Sequence, residues 1–403
     1  MSDGNVEHLS VSRRDDGELG AQLATWLATR PDVGPDLRVE NFERPETNGM
    51  SSETFLFDAS WEPPVGGSGA ANGARESGRY VARLRPTDDA FPIFPTYDLD
   101  RQVQVMRLIG ERTAAPVPAI RWYEPDEAVL GTPFFVMDRV DGEVPPDVMP
   151  YTFDGSWVSD ATTEQRARLQ ARSIEVLAAI HGVEATPEEV AFLAADGSGG
   201  GDGAADDGAG AGDGRSALRA HFEAEKTYYD WVRGDLRYPV LERAFDWLEA
   251  HWPKAAEEGP TVVCWGDARI GNVMYRDFVP RAVLDWEMAT LGPRELDLGW
   301  FTFLHRFFED ITHVFEMPGL PDFLERDAVV RQYAEASGHE PRDFDWFLTY
   351  SALRHGTVMI RAVGRQVYLG EREAPEDHEE LVLHRASIDA LVEGRYWSEL
   401  GYE

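Results

Sequence analysis

The spacing of apolar positions predicts that the first third of the chain consists mainly of strands. Apolar and polar residues alternate in "TFLFDASW" at 54–61 and in "YVARLR" at 80–85, which is the period of a half-buried strand. "VPAIRWYE" and "PFFVMDRV" are typical of two further strands. In "LDRQVQVMRLIG" at 99–110 the spacing is helical instead, and Gly110 predicts the end of that helix.

After about residue 160 the period of the pattern becomes helical. "TEQRARLQARSIEVLAAIHG" places Leu169, Ile174, Leu177 and Ile180 on one face, and Gly182 closes the helix. Helices are also predicted over "LRAHFEAEKTYYDWVRG", "VLERAFDWLEAHW" and "FDWFLTYSALRHGTVMIRAVGRQVYLG". Two short apolar strands, "TVVCW" and "RAVLDW", interrupt them. The pattern therefore predicts an α+β fold with a sheet-rich first part and a helical remainder, and a cleft between two such lobes is a usual place for a ligand.

Two segments interrupt the pattern as insertions. Residues 63–79 are rich in Pro, Gly and Ala and lie between two predicted strands, so we expect a long hairpin loop there. Residues 196–214 are of low complexity and predict a solvated, flexible loop. No function is assigned to either segment.

Length and composition predict a soluble, cytoplasmic protein with two lobes. The 403 residues exceed what one compact core usually holds. No apolar run approaches the roughly 18 residues that a membrane span needs, and the polar, acidic first ten residues predict no signal peptide. A single cysteine, Cys264, excludes an internal disulfide framework. The oligomeric state is left open.

The balance of charges narrows the choice of partners. Acidic residues number 73 against 38 basic ones, and the net charge of −35 repels nucleic acid and anionic membranes. Only Lys226 and Lys254 are lysines; the other basic residues are arginines. Adaptation to high salt explains the acidity, because charges are screened within about 3 Å at 1 M salt. A codon bias toward Arg is the alternative, and it explains the arginines but not the acidity.

The candidate chemistry lies in "CWGDARIGNVMYRDFVPRAVLDWEMATLGPRELDLGW" at 264–300. Asp267 follows the first short strand, Asn272 stands five residues later, and Asp285 follows the second strand. A strand–loop–strand hairpin would bring these three side chains together. Carboxylate and amide oxygens suit Mg²⁺, and a neighbouring carboxylate can accept a proton from a hydroxyl. The competing interpretation is a polar loop with ordinary capping Asp and Asn residues. Acids within apolar runs weaken it, because buried charge is costly.

These motifs resemble the aminoglycoside phosphotransferase/choline kinase superfamily, and within it the branch related to kinase-like domains fused to acyl-CoA dehydrogenases. The resemblance implies a two-lobed protein-kinase-like fold, with an N-lobe over residues 1–136, a hinge over 137–142 and a C-lobe over 143–403. It also implies that Asp267 is the catalytic base, that Asn272 and Asp285 are Mg²⁺ ligands, and that Asp297 braces the catalytic loop.

Three residues near this motif have open assignments. Glu287 is a further metal acid or a solvated side chain, and Arg269 contacts a phosphate or the substrate, or else forms a surface salt bridge. Trp265 stands where the family commonly has His. Because its ring has one donor and no acceptor, we expect Trp265 to replace that His by packing.

Arg83 is the candidate for the cation that holds the nucleotide phosphates, because no lysine precedes Lys226. The family usually pairs this cation with an acidic helix residue, and the aligned position here is Gln102, which carries no charge. The segment with Gly49, Ser51 and Ser52 would be the phosphate loop. An ordinary turn and a strand Arg that faces solvent are the alternatives.

The adenine and acceptor sides are less specific. Main-chain groups from Met137 to Arg139 would meet adenine, although without the resemblance this segment is a core strand. His181 more often has a structural role than a catalytic one at a helix end. The C-terminal aromatic residues, Trp300 among them, are interpreted mostly as core. Arg354, His355 and Arg361 have helical spacing and would suit an anionic acceptor or surface salt bridges.

Together these features predict an ATP- and Mg²⁺-dependent kinase that phosphorylates a hydroxyl group of a small molecule. A hydroxyacyl thioester, an amino alcohol and a sugar-like molecule are the acceptors that the resemblance suggests. Two alternatives are a nucleotide-binding pseudokinase, which Gln102 and Trp265 favour, and a metal-dependent hydrolase, which would want more histidines or carboxylates near Asp267.

The acidic composition leads to a first prediction. If the surface is adapted to salt, the protein should unfold in dilute buffer and fold as KCl is added, because salt screens the repulsion between carboxylates. Far-ultraviolet circular dichroism across a KCl series measures this change. Full helical signal and an unchanged melting temperature in dilute buffer would contradict the halophilic interpretation.

Overall fold

The computed structural model describes residues 15–45, 52–63, 75–86, 91–194 and 214–401. The chain forms two compact units. Unit 1 comprises Met1–Val103, Ala119–Arg139 and Ala362–Glu373, and unit 2 comprises Gln104–Pro118, Val140–Arg361 and Ala374–Glu403. Unit 1 contains a five-stranded sheet and unit 2 is mainly helical, which confirms the predicted order of sheet and helices. The linear boundaries drawn from the sequence stay a prediction.

Unit 1 is built on an antiparallel sheet with the strand order β1-β2-β3-β5-β4. Burial alternates strictly along the second strand, as its sequence predicts, because successive side chains point to opposite faces. Aromatic side chains such as Phe55, Phe57 and Phe134 fill the core of this unit. The strands are β1 Arg38–Glu43, β2 Glu53–Trp61, β3 Glu76–Leu84, β4 Ile120–Glu124 and β5 Phe134–Asp138.

Two predicted boundaries in this part of the chain are wrong. Strand β3 begins at Glu76, so residues 76–79 of the predicted 63–79 insertion belong to the sheet, where Glu76 pairs with Trp61. The helix predicted to end at Gly110 continues to Arg112, since one glycine inside a helix costs only about 1 kcal/mol. Residues 64–74, and residues 196–213 of the second insertion, lie outside the described residues.

The helices follow the predicted segments closely. The predicted apolar face at 169–180 is buried, and Gly182 is the C-cap of that helix. In the part of the chain that the structure describes, every helix is too short or too polar to cross a membrane. The helices are α1 Asp16–Leu27, α2 Leu99–Arg112, α3 Glu127–Leu130, α4 Thr163–His181, α5 Pro187–Val190, α6 Ala217–Arg233, α7 Pro239–Ala250, α8 Lys254–Glu257, α9 Glu295–Val314, α10 Arg326–Ser337, α11 Phe344–Tyr368, α12 Arg385–Val392 and α13 Tyr396–Glu399.

Unit 2 contains two small antiparallel sheets in place of the predicted hairpin between "TVVCW" and "RAVLDW". Strand β6 (Val262–Cys264) pairs with β9 (Thr290–Gly292), and β7 (Val273–Arg276) pairs with β8 (Val279–Val283). The sequence did not reveal β7 because the turn after it, Asp277 and Phe278, has positive φ angles without a glycine. A two-residue hairpin of this kind usually shows Asn-Gly or Asp-Gly.

A pair of buried histidines lies against α9. The rings of His355 and His384 are 4.9 Å apart, and Phe303 and Phe307 pack on both. The Nε2 atom of His384 lies 2.8 Å from the carbonyl of Ala352. Burial lowers the pKa of His384 to about 4 and the pKa of His355 well below its ordinary value. Both rings are therefore neutral in the folded protein at neutral pH.

This pair predicts a loss of stability in mild acid. The pKa of His384 in the unfolded chain is about 6.5, above its folded value of about 4, so the unfolded chain takes up the proton first. Its contribution to stability is complete above pH 6.5 and declines toward pH 4. His384→Gln, which keeps a donor for Ala352, should flatten the pH dependence of the unfolding free energy measured in denaturant. The exposed His251→Gln is the control, and equal slopes for both variants would contradict the prediction.

Candidate active site

The loop between β6 and β7, residues 265–272, carries the predicted catalytic carboxylate. Gly266 has a φ of +92°, and a Cβ atom there would lie 1.9 Å from the main-chain oxygen of Met288. Only glycine combines that backbone conformation with such a close approach. The loop therefore turns sharply at Gly266 and presents Asp267, whose side chain stays 16% exposed.

Asp297, at the start of α9, holds this loop by accepting hydrogen bonds from its main chain. Its Oδ2 accepts the N–H of Trp265 at 2.6 Å and its Oδ1 accepts the N–H of Gly266 at 2.8 Å. The Nε2 atom of His181 lies 2.9 Å from the same Oδ2, and the other ring nitrogen lies 2.7 Å from the hydroxyl of Tyr333. The carboxylate is fully buried. His181 thus connects Asp297 to Tyr333, which agrees with the structural role that the sequence favoured for it.

Three side chains hold the carboxylate of Asp267. The indole N–H of Trp300 donates to Oδ1 at 2.7 Å, and the side-chain amide of Asn272 donates to Oδ2 at 2.6 Å. The Nε–H of Arg269 lies 3.2 and 3.3 Å from the two oxygens. Asp267 is therefore fixed in orientation while part of its surface remains accessible.

Arg269 links Asp267 to a second acid, Asp147. The guanidinium forms an ion pair with Asp147 at its far end. Gly271 permits this contact, because a Cβ atom there would lie 2.5 Å from Nη1 of Arg269. Burial lowers the pKa of Arg269, but the charges of Asp267, Asp147 and Asp285 outweigh it and raise that pKa above its ordinary value. The sequence left two interpretations of Arg269 open, a contact with a ligand or a surface salt bridge. In the structure Arg269 forms ion pairs with Asp147 and Asp267, within the candidate site.

The β7–β8 hairpin brings Asn272 and Asp285 together. Strand β7 begins directly after Asn272, and the N–H of Leu284 donates to the carbonyl of Asn272 at 2.9 Å. Asp285 has a φ of +60°, a conformation that only Gly, Asn and Asp adopt readily. The negative charge of Asp285 is one of the causes that raise the pKa of Arg269.

Trp265 contributes more than the packing that its sequence suggested. Its indole N–H donates to the carbonyls of Leu284 and Asp285, at 2.9 and 3.1 Å. The ring is buried and lies 6.0 Å from the ring of Trp286. The indole of Trp265 therefore fixes the main chain at Asp285, which has the left-handed conformation. The main-chain N–H of Trp265 donates to Asp297 in addition.

The oxygen donors in this part of the site fit Mg²⁺. Because the amide nitrogen of Asn272 faces Asp267, its Oδ1 atom is directed elsewhere and can serve as a ligand. Asp285 supplies a carboxylate nearby, and Glu287 stands two residues further, half-buried. A hard divalent cation prefers such oxygen ligands.

A second group of potential metal ligands is less suitable. His181, Cys264 and Asp297 have ligand atoms within 4.8 Å of one another and are buried. Both ring nitrogens of His181 and both oxygens of Asp297 already take part in hydrogen bonds. Burial raises the pKa of the Cys264 thiol well above its ordinary value, which disfavours the thiolate that a metal needs.

The candidates for nucleotide binding lie in unit 1. Nη2 of Arg83 donates to the hydroxyl of Ser52 at 2.5 Å, and Arg83 pairs in register with Thr54 and Phe135. Gln102 is buried in α2. Gly49 and Ser51 lie outside the described residues.

The main-chain groups predicted to meet adenine, from Met137 to Arg139, lie at the end of β5 and directly after it, and their contact with adenine stays a prediction. Met137 lies in β5, between β3 and β4, and pairs with Val81 on one side and Ile120 on the other. The N–H of Arg139 donates to the carbonyl of Arg79 at 2.8 Å. The N–H of Arg139 is thus engaged within unit 1 and is not a ready donor for adenine.

Asp147 and Trp300 are site residues that the sequence did not reveal. Asp147 is 122 residues from its partner Arg269, in a proline-rich segment without a motif. Main-chain hydrogen bonds of 2.9 and 2.8 Å between Glu143 and Tyr275 hold that segment beside β7. Trp300 lies in the quoted "DLGW", and its position next to the Asp297 helix start was the available signal.

Comparison with known proteins gives a consistent picture. A model of the phosphotransferase enzyme family matches residues 61–345. Acyl-CoA dehydrogenase family member 11 of Rattus norvegicus is 26% identical over 349 residues, which is 85% of this chain and 38% of the rat protein. The Homo sapiens protein of the same name is 25% identical over 228 residues, 56% of this chain and 25% of its own length. The chain therefore spans well under half of these relatives.

A solved structure shares the fold. A candidate aminoglycoside phosphotransferase from Ralstonia eutropha is 21% identical, with a TM-score of 0.59, and the alignment covers 95% of this chain and 98% of that one. At this identity the likeness shows the fold alone. The predicted kinase-like fold class and the predicted resemblance to phosphotransferases, including the branch related to acyl-CoA dehydrogenases, are confirmed.

The support from Asp297 can be tested directly. In Asp297→Asn one oxygen is replaced by a donor that faces an N–H group, so we expect a loss of roughly 3 kcal/mol in unfolding free energy. Hydrogen exchange at the amides of Trp265 and Gly266 should become faster. Glu295→Gln is the matched control, because Glu295 is another buried acid of α9, with bonds to His339 and Arg342. Unchanged exchange in Asp297→Asn, or equal changes in both variants, would contradict this prediction.

Proposed function

We propose that this chain, which belongs to the phosphotransferase enzyme family, transfers the γ-phosphate of ATP to a hydroxyl group of a small molecule with Mg²⁺. The observation that carries the proposal is the convergence of Asp267, Asn272 and Asp285. The side-chain amide of Asn272 donates to Asp267, and the N–H of Leu284, the residue before Asp285, donates to the carbonyl of Asn272. Two acids and an amide in this order are the residue types that phosphoryl transfer of the protein-kinase type uses.

Asp267 would act on the acceptor. Its carboxylate is held by Trp300, Asn272 and Arg269, so it meets an incoming hydroxyl without first reorganising. The hydroxyl oxygen attacks the γ-phosphorus, the bond to the bridging oxygen of ADP breaks, and the hydroxyl proton passes to a carboxylate oxygen of Asp267.

Asn272 and Asp285 would hold the metal. The Oδ1 atom of Asn272 and the carboxylate of Asp285 are the ligands, with Glu287 as a further acid beside them. When bound, Mg²⁺ supplies positive charge to the phosphate oxygens. Trp265 keeps Asp285 in place through the main chain, which makes it a positioning residue in this proposal.

Arg83 would contact the phosphates of the nucleotide, with Ser52 as a neighbouring donor. An arginine offers a bidentate fork to phosphate that a lysine cannot. This part of the proposal rests on the sequence motif and on the half-buried position of Arg83 in β3.

The two alternatives receive less support. A pseudokinase would explain Gln102 and Trp265, but Trp265 has a defined supporting role next to Asp285. A hydrolase would need further metal ligands around Asp267, and the residues that donate hydrogen bonds to its carboxylate among the described residues are Trp300, Arg269 and Asn272. The acyl-CoA dehydrogenase names of the relatives suggest a hydroxyacyl thioester as one acceptor, with an amino alcohol or a sugar-like hydroxyl as the other options.

Substitution of the two acids separates catalysis from metal binding. Asp267→Asn should reduce phosphate transfer by a factor of at least about 10² while the thermal shift caused by Mg-ATP stays near that of the parent protein. Asp285→Ala should lose that shift. Asp277→Asn, an exposed acid in the β7–β8 turn, is the control for the change of charge and should affect neither property.

Transfer is measured as acceptor-dependent ADP release across a panel of alcohols, which also separates an enzyme from a pseudokinase. Parent-like transfer in Asp267→Asn would remove Asp267 as the base. A parent-like Mg-ATP shift in Asp285→Ala would remove Asp285 as a metal ligand. Mg-ATP binding without ADP release for any alcohol would favour the pseudokinase.

A further inference from the structure

Arg354, in α11, is a buried arginine whose nearest acid lies beyond hydrogen-bond distance. Its side chain is 3% exposed, and the nearest carboxylate, that of Glu225 in α6, lies 3.8 Å away. Its Nε atom is buried and has no hydrogen-bond partner among the described residues. No hydrogen bond is formed by the rest of this guanidinium within the same part of the chain.

Arg354 differs in this respect from two other shielded arginines of unit 2, Arg306 and Arg269. Acids outnumber basic residues almost two to one, with 73 against 38. Other shielded arginines of unit 2 find carboxylates readily: Arg306 lies 3.0 Å from Asp310, and Arg269 contacts both Asp267 and Asp147. Because an unsatisfied buried donor costs about 1–3 kcal/mol, the position of Arg354 calls for an acceptor atom that the described residues do not supply.

Arg354 is connected to the candidate catalytic acid through one indole ring. Its guanidinium carbon lies 4.6 Å from the centroid of Trp300, and it also faces the ring of Tyr350 at 5.8 Å. The N–H of the same Trp300 donates to Asp267. The positive charge of Arg354 therefore lies about one indole ring away from a small molecule whose hydroxyl contacts Asp267.

Glu225 neutralises that charge only in part. Burial raises the pKa of Glu225 to about 7, against the opposing effect of Arg354. Its Oε1 atom is buried without a hydrogen-bond partner among the described residues. A guanidinium stays charged at all accessible pH values, whereas burial favours the protonated form of this carboxyl group, so Glu225 offsets the charge of Arg354 only in part.

We propose that Arg354 forms an anion subsite of the acceptor-binding region and takes a carboxylate group on the acceptor. The inference rests on the proposed function, because it uses Asp267 as the place of the acceptor hydroxyl. It adds a substrate class: a hydroxy acid, with the hydroxyl at Asp267 and the carboxylate bound by the fork of Arg354 over Trp300.

Isothermal titration calorimetry with two matched probes tests the subsite in the absence of ATP. The probes are 3-hydroxybutyrate and 1,3-butanediol, which differ in a carboxylate against a hydroxymethyl group. The parent protein should bind the hydroxy acid at least about tenfold more tightly. Arg354→Gln should abolish this preference, and Arg354→Lys should restore part of it. Glu225→Gln should keep or increase it, because the competing carboxylate is gone.

Equal affinity for the two probes, binding of neither, or a preference that survives in Arg354→Gln would overturn the subsite. If Arg354→Gln folds poorly, Glu225→Gln still tests the proposal, because its preference for the hydroxy acid should stay the same or increase. A fall of this preference in Glu225→Gln would also count against the proposal. The Mg-ATP thermal shift is recorded on every variant. A normal shift with no carboxylate preference refutes the subsite alone, whereas a missing shift in the parent protein refutes the proposed phosphotransfer.

Discussion

The buried carboxylate of Asp297 is the constraint on which the candidate site depends. A charge without solvent is tolerated only when hydrogen bonds satisfy it, and Asp297 obtains them from the main chain of Trp265 and Gly266 and from His181. The same bonds hold the sharp turn at Gly266 and therefore the direction of Asp267. The side chain of Asp297 thus connects the start of α9, the end of α4 and the loop that carries Asp267.

A second layer of support comes from main-chain contacts of the two small sheets. The β7–β8 hairpin delivers Asp285 to Asn272, and Trp265 holds the strained main chain there by donating to two carbonyls. The indole N–H of Trp265 can only donate, and the two groups that face it, the carbonyls of Leu284 and Asp285, are both acceptors. The tryptophan at position 265 is therefore compatible with an intact site, since the main chain at the proposed metal ligand Asp285 depends on the donated hydrogen bonds and not on a ring acceptor.

Sequence reasoning succeeded where the information is local. The periodicity of α4 and β2 shows directly in their burial, whereas the roles of Asp267, Asn272, Asp285 and Asp297, which lie within about thirty residues of one another, stay predictions. It failed where the outcome depends on distant pairing. The β7 strand is hidden by a turn without glycine, Asp147 reaches Arg269 across 122 residues, and the hydrogen bond that occupies the N–H of Arg139 is set by the neighbouring β3.

The charges around Asp267 also constrain how a triphosphate could approach. Asp267, Asp147 and Asp285 act on a single guanidinium, that of Arg269, so the cluster is negative on its own, within a chain of net charge −35. Arg269 cannot neutralise a polyphosphate while it is held by two of these acids. A divalent cation on Asn272 and Asp285 would reverse the local sign. The electrostatics of this chain therefore support the proposed dependence on Mg²⁺, because without such a cation these acids would repel the phosphate that the proposed acceptor hydroxyl attacks.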